Sequence, residues 1–268
     1  QATVLPPFPP GPIGIAYWTV AGGAPANGVL FVAANNSIYR IVLNTATTAT
    51  SVSLFAGTGI AGVLGQGNVN GTGISSQLNF GTSKFVPMVL DYDFNNAAPP
   101  APAKNLYFCD TGNGLLKKIS LSGSNTVSTV VSASRCAGLA YDVNNGMLYL
   151  TNSDNTIAQV NPTTGTASPF AGSSGVSGGS NGLGQVAYPV QFNVGNAMTS
   201  SAGGALAPQF AGGCCGFVGA NSNAAAQAAA GVSSFVARFN NPIGITYDTF
   251  KKYFYSVDNG SAAVRVSL

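Results

Sequence analysis

The sequence predicts an all-β protein, a single β-propeller domain over residues 1–268, and three observations carry the prediction. A seven-residue phrase recurs as Pro12-Ile-Gly-Ile-Ala-Tyr17-Trp18, Pro87-Met-Val-Leu-Asp-Tyr92-Asp93, Cys136-Ala-Gly-Leu-Ala-Tyr141-Asp142 and Pro242-Ile-Gly-Ile-Thr-Tyr247-Asp248. Each phrase is followed by short β-branched and aromatic runs separated by Asn, Asp, Gly and Ser, which read as strands joined by tight turns. Helical periodicity is nearly absent; the exception is the Ala-rich stretch Asn223–Ala230, which reads as a short helix or a loop.

The elements follow in order within each unit. The phrase itself is the first strand. Second strands are expected at Val29–Ala33, Asn105–Asp110, Met147–Thr151 and Tyr253–Asp258, and third strands at Ser37–Leu43, Leu115–Ile119, Thr156–Val160 and Ala263–Val266. Fourth strands are expected at Thr50–Phe55, Thr126–Val131 and Thr166–Phe170. Phe-Ala-Gly occurs at Phe55–Gly57, Phe170–Gly172 and Phe210–Gly212, each time leading into a Gly-rich run. Two such runs reach similar lead-in segments, Gln77-Leu-Asn-Phe80 and Val236-Ala-Arg-Phe239. The repeated tyrosines lie 75, 49 and 106 residues apart, and the last interval, about two units long, predicts a degenerate fifth unit between about Gly184 and Phe210.

The last unit ends at Leu268 after its third strand. A ring closes when a strand from the other terminus completes the final blade. The segment Ala2, Thr3, Val4, Leu5, within a Pro-rich start over residues 1–11, is the candidate. It closes its own ring or completes a blade in a second copy, since an unpaired edge is a template for strand addition.

These motifs resemble the NHL repeat. The resemblance is strongest in Asn241-Pro-Ile-Gly-Ile-Thr-Tyr-Asp248, Tyr253-Phe-Tyr-Ser-Val-Asp-Asn-Gly260 and Val264-Arg-Val266, and the Phe-Ala-Gly-x-Gly linkers are similar to linkers of that family. It covers most of the chain and is poor over an irregular insertion at about 176–235. It implies four clear four-stranded blades, rising to five or six. NHL-like propellers commonly bind proteins or glycans, and those that are lyases hold metal through His. This chain has no His.

Composition narrows the function. Charged residues are 6% of the chain, against roughly 25% in an ordinary soluble domain. The ten Lys and Arg are scattered, which is no basic face for nucleic acid. No run of 18 apolar residues is present for a membrane-spanning helix. Gln1 without a preceding Met is expected of a processed, secreted chain. Four cysteines, Cys109, Cys136, Cys214 and Cys215, fit two disulfides in an oxidising compartment, with three connectivities open. Cys109 ends one predicted strand and Cys136 begins the next unit, which allows pairing between neighbours. Cys214-Cys215 either bridge each other or pair with the other two.

Candidate chemistry is sparse. Asp93, Asp142 and Asp248 share one repeat position, and Asp110 and Asp258 another, where the third unit has Asn152. Turn N–H acceptance is the plain reading; a carboxylate ring holding calcium is the functional one. Without His a Ser-His-Asp triad is impossible, so no catalytic residue is assigned. Tyr17, Tyr92, Tyr141 and Tyr247 are expected to pack between blades, with sugar stacking as the alternative. Glycosylation triplets occur at Asn35, Asn70 and Asn259, each in an expected turn or loop. Low charge, an unfinished last unit and no catalytic set point to a secreted, non-enzymatic structural protein that assembles with itself into a fibril or coat. The alternative is a secreted module that binds a protein or glycan.

Overall fold

The structure is a computed structural model that describes residues 11–19, 28–43, 49–91, 103–133, 136–172, 174–177, 215–216, 239–261 and 263–267. The strand-exchange candidates Ala2, Thr3, Val4 and Leu5, and also Tyr92, Asp93, Cys214 and Asn223–Ala230, lie outside these residues.

The described chain is all-β and forms four sheets, none of them closed into a barrel. The first sheet is the meander β1 (Gly14–Thr19), β2 (Gly28–Ala34), β3 (Ser37–Leu43) and β4 (Ala49–Gly57). The second has β5 (Gly71–Thr72), β6 (Met88–Leu90), β7 (Asn105–Asp110), β8 (Leu115–Ser120) and β9 (Thr126–Ser132), in the order β5-β9-β8-β7-β6. The third is the meander β10 (Cys136–Asp142), β11 (Met147–Asn152), β12 (Thr156–Asn161) and β13 (Thr166–Gly172). The fourth contains β14 (Cys215–Gly216), β15 (Pro242–Asp248), β16 (Tyr253–Asp258) and β17 (Ala263–Ser267), in the order β14-β17-β16-β15.

The recurring phrase is the first strand of every sheet. These strands pack side by side, β1 on β6, β6 on β10 and β10 on β15. Among the described residues no comparable packing joins β15 back to β1. The degenerate fifth unit expected between about Gly184 and Phe210 lies outside the described residues. The third and fourth sheets pack directly on each other. The outer edge of the fourth sheet differs from expectation. There Cys215–Gly216, from the irregular insertion, runs parallel to β17, with Cys215 opposite Val264 and Gly216 opposite Arg265. The second sheet does likewise: Gly71–Thr72, from its own lead-in, pairs with β9.

Each sheet is apolar on both faces, as strands buried on two sides must be. Val29, Phe31, Ala33, Ile38 and Phe55 meet Leu90, Leu106, Phe108, Ile119 and Val127 between the first and second sheets. Tyr107, Cys109 and Leu116 meet Leu139, Leu148, Leu150 and Val160 between the second and third. Tyr149, Ile157 and Ala171 meet Phe239 and Phe254 between the third and fourth. Each fully buried large apolar side chain contributes about 1.5–3 kcal/mol.

Hydrogen bonds fix the sheet spacing. Asn79 N donates to Asp110 Oδ1 at 2.7 Å and Gly112 N donates to Asn79 O at 2.7 Å. The fourth sheet repeats this clasp, with Asn240 N on Asp258 Oδ1 at 2.6 Å and Gly260 N on Asn240 O at 2.7 Å. Glycine is required in it, because a Cβ on Gly112 or Gly260 would lie 2.4 Å from the asparagine side chain. The next N–H of each lead-in goes to the preceding sheet: Phe80 N donates to Asn36 Oδ1 at 2.9 Å and Asn241 N to Asn155 Oδ1 at 2.8 Å. Adjacent amides are thus shared between two sheets. Sequence similarity pairs Phe80 with Phe239, whereas these bonds pair Asn79 with Asn240.

Phe-Ala-Gly has a matching cause. Gly57 (φ 89°) and Gly172 (φ 87°) end the fourth strands in the left-handed region, pressed on the Asn36 and Asn155 carbonyls, where a Cβ would clash. Between the second and third sheets a disulfide joins Cys109 to Cys136, the neighbour pairing among the connectivities left open. Closing this loop stabilises by roughly 3–4 kcal/mol in the chain-entropy view. Cys215 is described only as part of β14.

Lys117 is fully buried and pairs with the equally buried Asp110, Nζ to Oδ2, at 2.8 Å. Removing one partner of such a pair costs about 3–5 kcal/mol, because the other charge stays buried. Asp110→Ala is therefore expected to lower stability by about that much in urea unfolding, and Asp110→Asn with Lys117→Met to recover most of it. A loss under about 1 kcal/mol in Asp110→Ala would contradict this role.

Burial raises the pKa of the Tyr107 and Tyr141 phenols, and the Asp91 carboxylate adds to the rise. The neutral phenol therefore stabilises the fold. That contribution is complete below the unfolded value near 10 and is lost as pH rises beyond it. Urea midpoints are expected to be flat from about pH 7 to 9 and to fall above about 10, less so in Tyr107→Phe/Tyr141→Phe.

Candidate functional site

The pairings place the sheets in one common register, with Ala34, Asp110, Asn152 and Asp258 equivalent at the ends of the second strands. One face of every sheet looks towards the preceding sheet. Its first-strand position, opposite Val32, Phe108, Leu150 or Ser256, is Ile15, Met88, Leu139 or Ile245. Leu139 is 7% exposed, and Met88 and Ile245 are half-buried against the first and third core clusters. Ile15 is 61% exposed. On the second strand Leu106, Leu148 and Phe254 are buried, whereas Leu30 is half-buried. On the third strand Ile119 and Val160 are buried, and their equivalent Ile41 is half-buried.

On the outer face of the first sheet Ile15, Leu30 and Ile41 are more exposed than their counterparts in the second and third sheets, while Val32 on the same face is buried. Among the described residues no preceding sheet covers them. A groove of about 510 Å³ runs over this face, with Ile15, Leu30, Val32 and Ile41 in its wall and Lys84 and Phe85 at its flank. Phe85 is exposed. The exposed Lys84 ammonium is the groove's one formal charge. Such a surface has the chemistry to hold an apolar partner.

A second apolar surface lies on the Gly-rich run after β4, where Ile60, Val63 and Leu64 are exposed. Their carrier is a short 3-10 turn, Val63–Gly65.

The aspartates take structural positions. Asp142 Oδ1 accepts from Asn144 N, and Asp248 Oδ1 accepts from both Phe250 N and Lys251 N, as turn carboxylates do. Asp91 accepts from Lys104 N and Asn105 N. Asp110 and Asp258, expected to serve turns, instead hold the lead-in segments. Among the described residues no group of three His, Cys, Asp or Glu side chains is placed to hold a metal ion. Tyr141 stacks on Tyr107 of the neighbouring sheet at 6.1 Å. The Tyr247 hydroxyl accepts from Asn144 Nδ2 at 2.8 Å across the third and fourth sheets. Trp18 is half-buried against the first core cluster, and its indole N–H has no partner among the described residues.

The glycosylation triplets differ in setting. Asn35 is half-buried in a left-handed turn, and its Ser37 hydroxyl is buried and accepts from Gly59 N. Asn70 and Asn259 are exposed. Asn70 exchanges side-chain bonds with Thr129 on β9.

Sequence reading missed Ile15, Leu30, Ile41 and Phe85. A signal for Ile15 was present: the recurring phrase aligns it with Leu90, Leu139 and Ile245, all of them packed in core clusters.

No protein-family model matches the chain, and no curated protein matches it. Among solved structures, auxiliary nutrient-binding proteins of Bacteroides thetaiotaomicron and Bacteroides ovatus are each 14% identical over 89% of this chain, with a TM-score of 0.31. The chain spans 34% of the length of each. A Bacteroides thetaiotaomicron protein of unknown function is 13% identical over 96% of this chain and 68% of its own, with a TM-score of 0.37.

The repeat equivalence makes a sharp expectation. Leu139→Ala should cost about 2–5 kcal/mol in urea unfolding. Ile15→Ala and Phe85→Ala should each stay within about 0.5 kcal/mol of the parent. Equal losses at Ile15 and Leu139 would mean that the outer face is covered in the folded chain.

Proposed function

We propose that this chain is a secreted, non-enzymatic β-propeller of the NHL-repeat type whose work is binding, done by the open face of its first sheet. The observation that carries the reading is the contrast between the exposed Ile15 and its equivalents, Leu139, which is buried, and Met88 and Ile245, which are half-buried against core clusters. A surface with core composition but no cover is an interaction site. The partner it suits presents an apolar β-surface of its own, since that is what the same face meets in the other sheets.

Several features support the remaining parts of the proposal. Four sheets with adjacent first strands suit a propeller arrangement. The Cys109–Cys136 bridge suits an oxidising compartment. Exposed Asn70 and Asn259 suit N-linked glycans, which would supply the solubility that sparse charge does not. Carboxylates committed to backbone amides, in a chain without His, suit a role without catalysis.

The direct test uses an apolar fluorescent dye, 8-anilinonaphthalene sulfonate, with dilute purified full-length chain. Saturable binding is expected, lost in Ile15→Asp/Phe85→Ser with folding retained. Absent binding, or binding unchanged in that variant, would overturn the assignment of the site.

A further inference from the structure

Among the described residues the first sheet has an outer face with no preceding sheet against it, and the fourth sheet has the converse, an outer face with no following sheet against it. On second strands the successor-facing positions are Phe31, Tyr107, Tyr149 and Tyr255, then Ala33, Cys109, Thr151 and Val257. Phe31, Tyr107 and Tyr149 are buried, and Tyr255 is half-buried. Ala33, Cys109 and Thr151 are each 0% exposed, whereas Val257 is 43% exposed.

We propose that the occupant of the first sheet's open face is the fourth sheet of a second copy of this chain. This rests on the binding reading above and names its partner. The two open faces are the two halves of one interface that the fold already builds three times within a single chain. A Tyr255 and Val257 surface is what Ile15, Leu30 and Ile41 are placed to receive, by continuation of those interfaces. Little charge opposes the contact: among the described residues Lys84 is the only charged one lining the groove. The contact is heterologous, with a different patch on each partner. It leaves a free face at both ends of every dimer, so copies add head to tail into a filament or a large ring.

The test is sedimentation velocity of the full chain across a concentration series, with two single variants, Ile15→Asp on the receiving face and Val257→Asp on the donating face. The parent chain is expected to shift to larger species as concentration rises. Each variant alone is expected to stay monomeric, with the parental circular dichroism spectrum and urea midpoint. An equimolar mixture of the two is expected to form dimers and nothing larger, because each variant retains the one face that the other lacks. Three outcomes overturn the proposal: a monomeric parent at every concentration, association blocked by Ile15→Asp but not by Val257→Asp, and a mixture that stays monomeric. Dye binding at the groove separates the two levels of failure. If a monomeric parent still binds dye through Ile15 and Phe85, the open-face reading stands and only the identity of the partner falls. As a control, Lys251→Ser on an exposed turn should leave association unchanged.

Discussion

A four-stranded sheet that is apolar on both faces is stable only between two neighbours, and this requirement organises the molecule. Each sheet is too small to stand alone in water. Stacking one sheet on the next buries a face of each, and three such contacts hold the described chain together. Among the described residues the arrangement leaves two faces over, on the first and fourth sheets. The candidate site is the first of these faces, with no special chemistry needed to create it.

The clasps set how closely the sheets approach. Asp110 and Asp258 fasten each lead-in to its own sheet, while Asn36 and Asn155 fasten the following amide to the sheet before. Adjacent N–H groups pointing to different sheets fix both distance and rotation at once. Between the second and third sheets the Cys109–Cys136 bridge supplies a covalent fastening. At the equivalent place between the third and fourth sheets stands Thr151, whose buried hydroxyl has no partner among the described residues. Much of the chain's scarce charge is therefore structural. The buried Asp110–Lys117 pair belongs to a clasp rather than to a surface.

Much of this was legible in the sequence. Val29–Ala33, Ser37–Leu43, Asn105–Asp110 and Tyr253–Asp258 lie within or coincide with observed strands, because period-two patterning and turn residues are local signals. The neighbour disulfide was one of the readings open. Other features depend on long-range geometry. The tyrosine spacing could not reveal that the third and fourth sheets touch directly, nor that Cys215–Gly216 would lie beside β17. The pattern Leu115-Leu-Lys-Lys-Ile119 does not tell Lys117 from Lys118, and only the pairing with Asp110 shows Lys117 as core. The exposure of Ile15 was not legible either, since burial depends on a neighbour that local sequence does not name.

The account depends on the first sheet's outer face lying open in the single folded chain. Hydroxyl-radical footprinting of the dilute native protein, read residue by residue by mass spectrometry, measures that directly. The account predicts rapid oxidation of Ile15 and Phe85 together with strong protection of Leu90 and Leu139. Protection of Ile15 equal to that of Leu139 at every dilution would contradict it, because the face would then be covered by the chain itself.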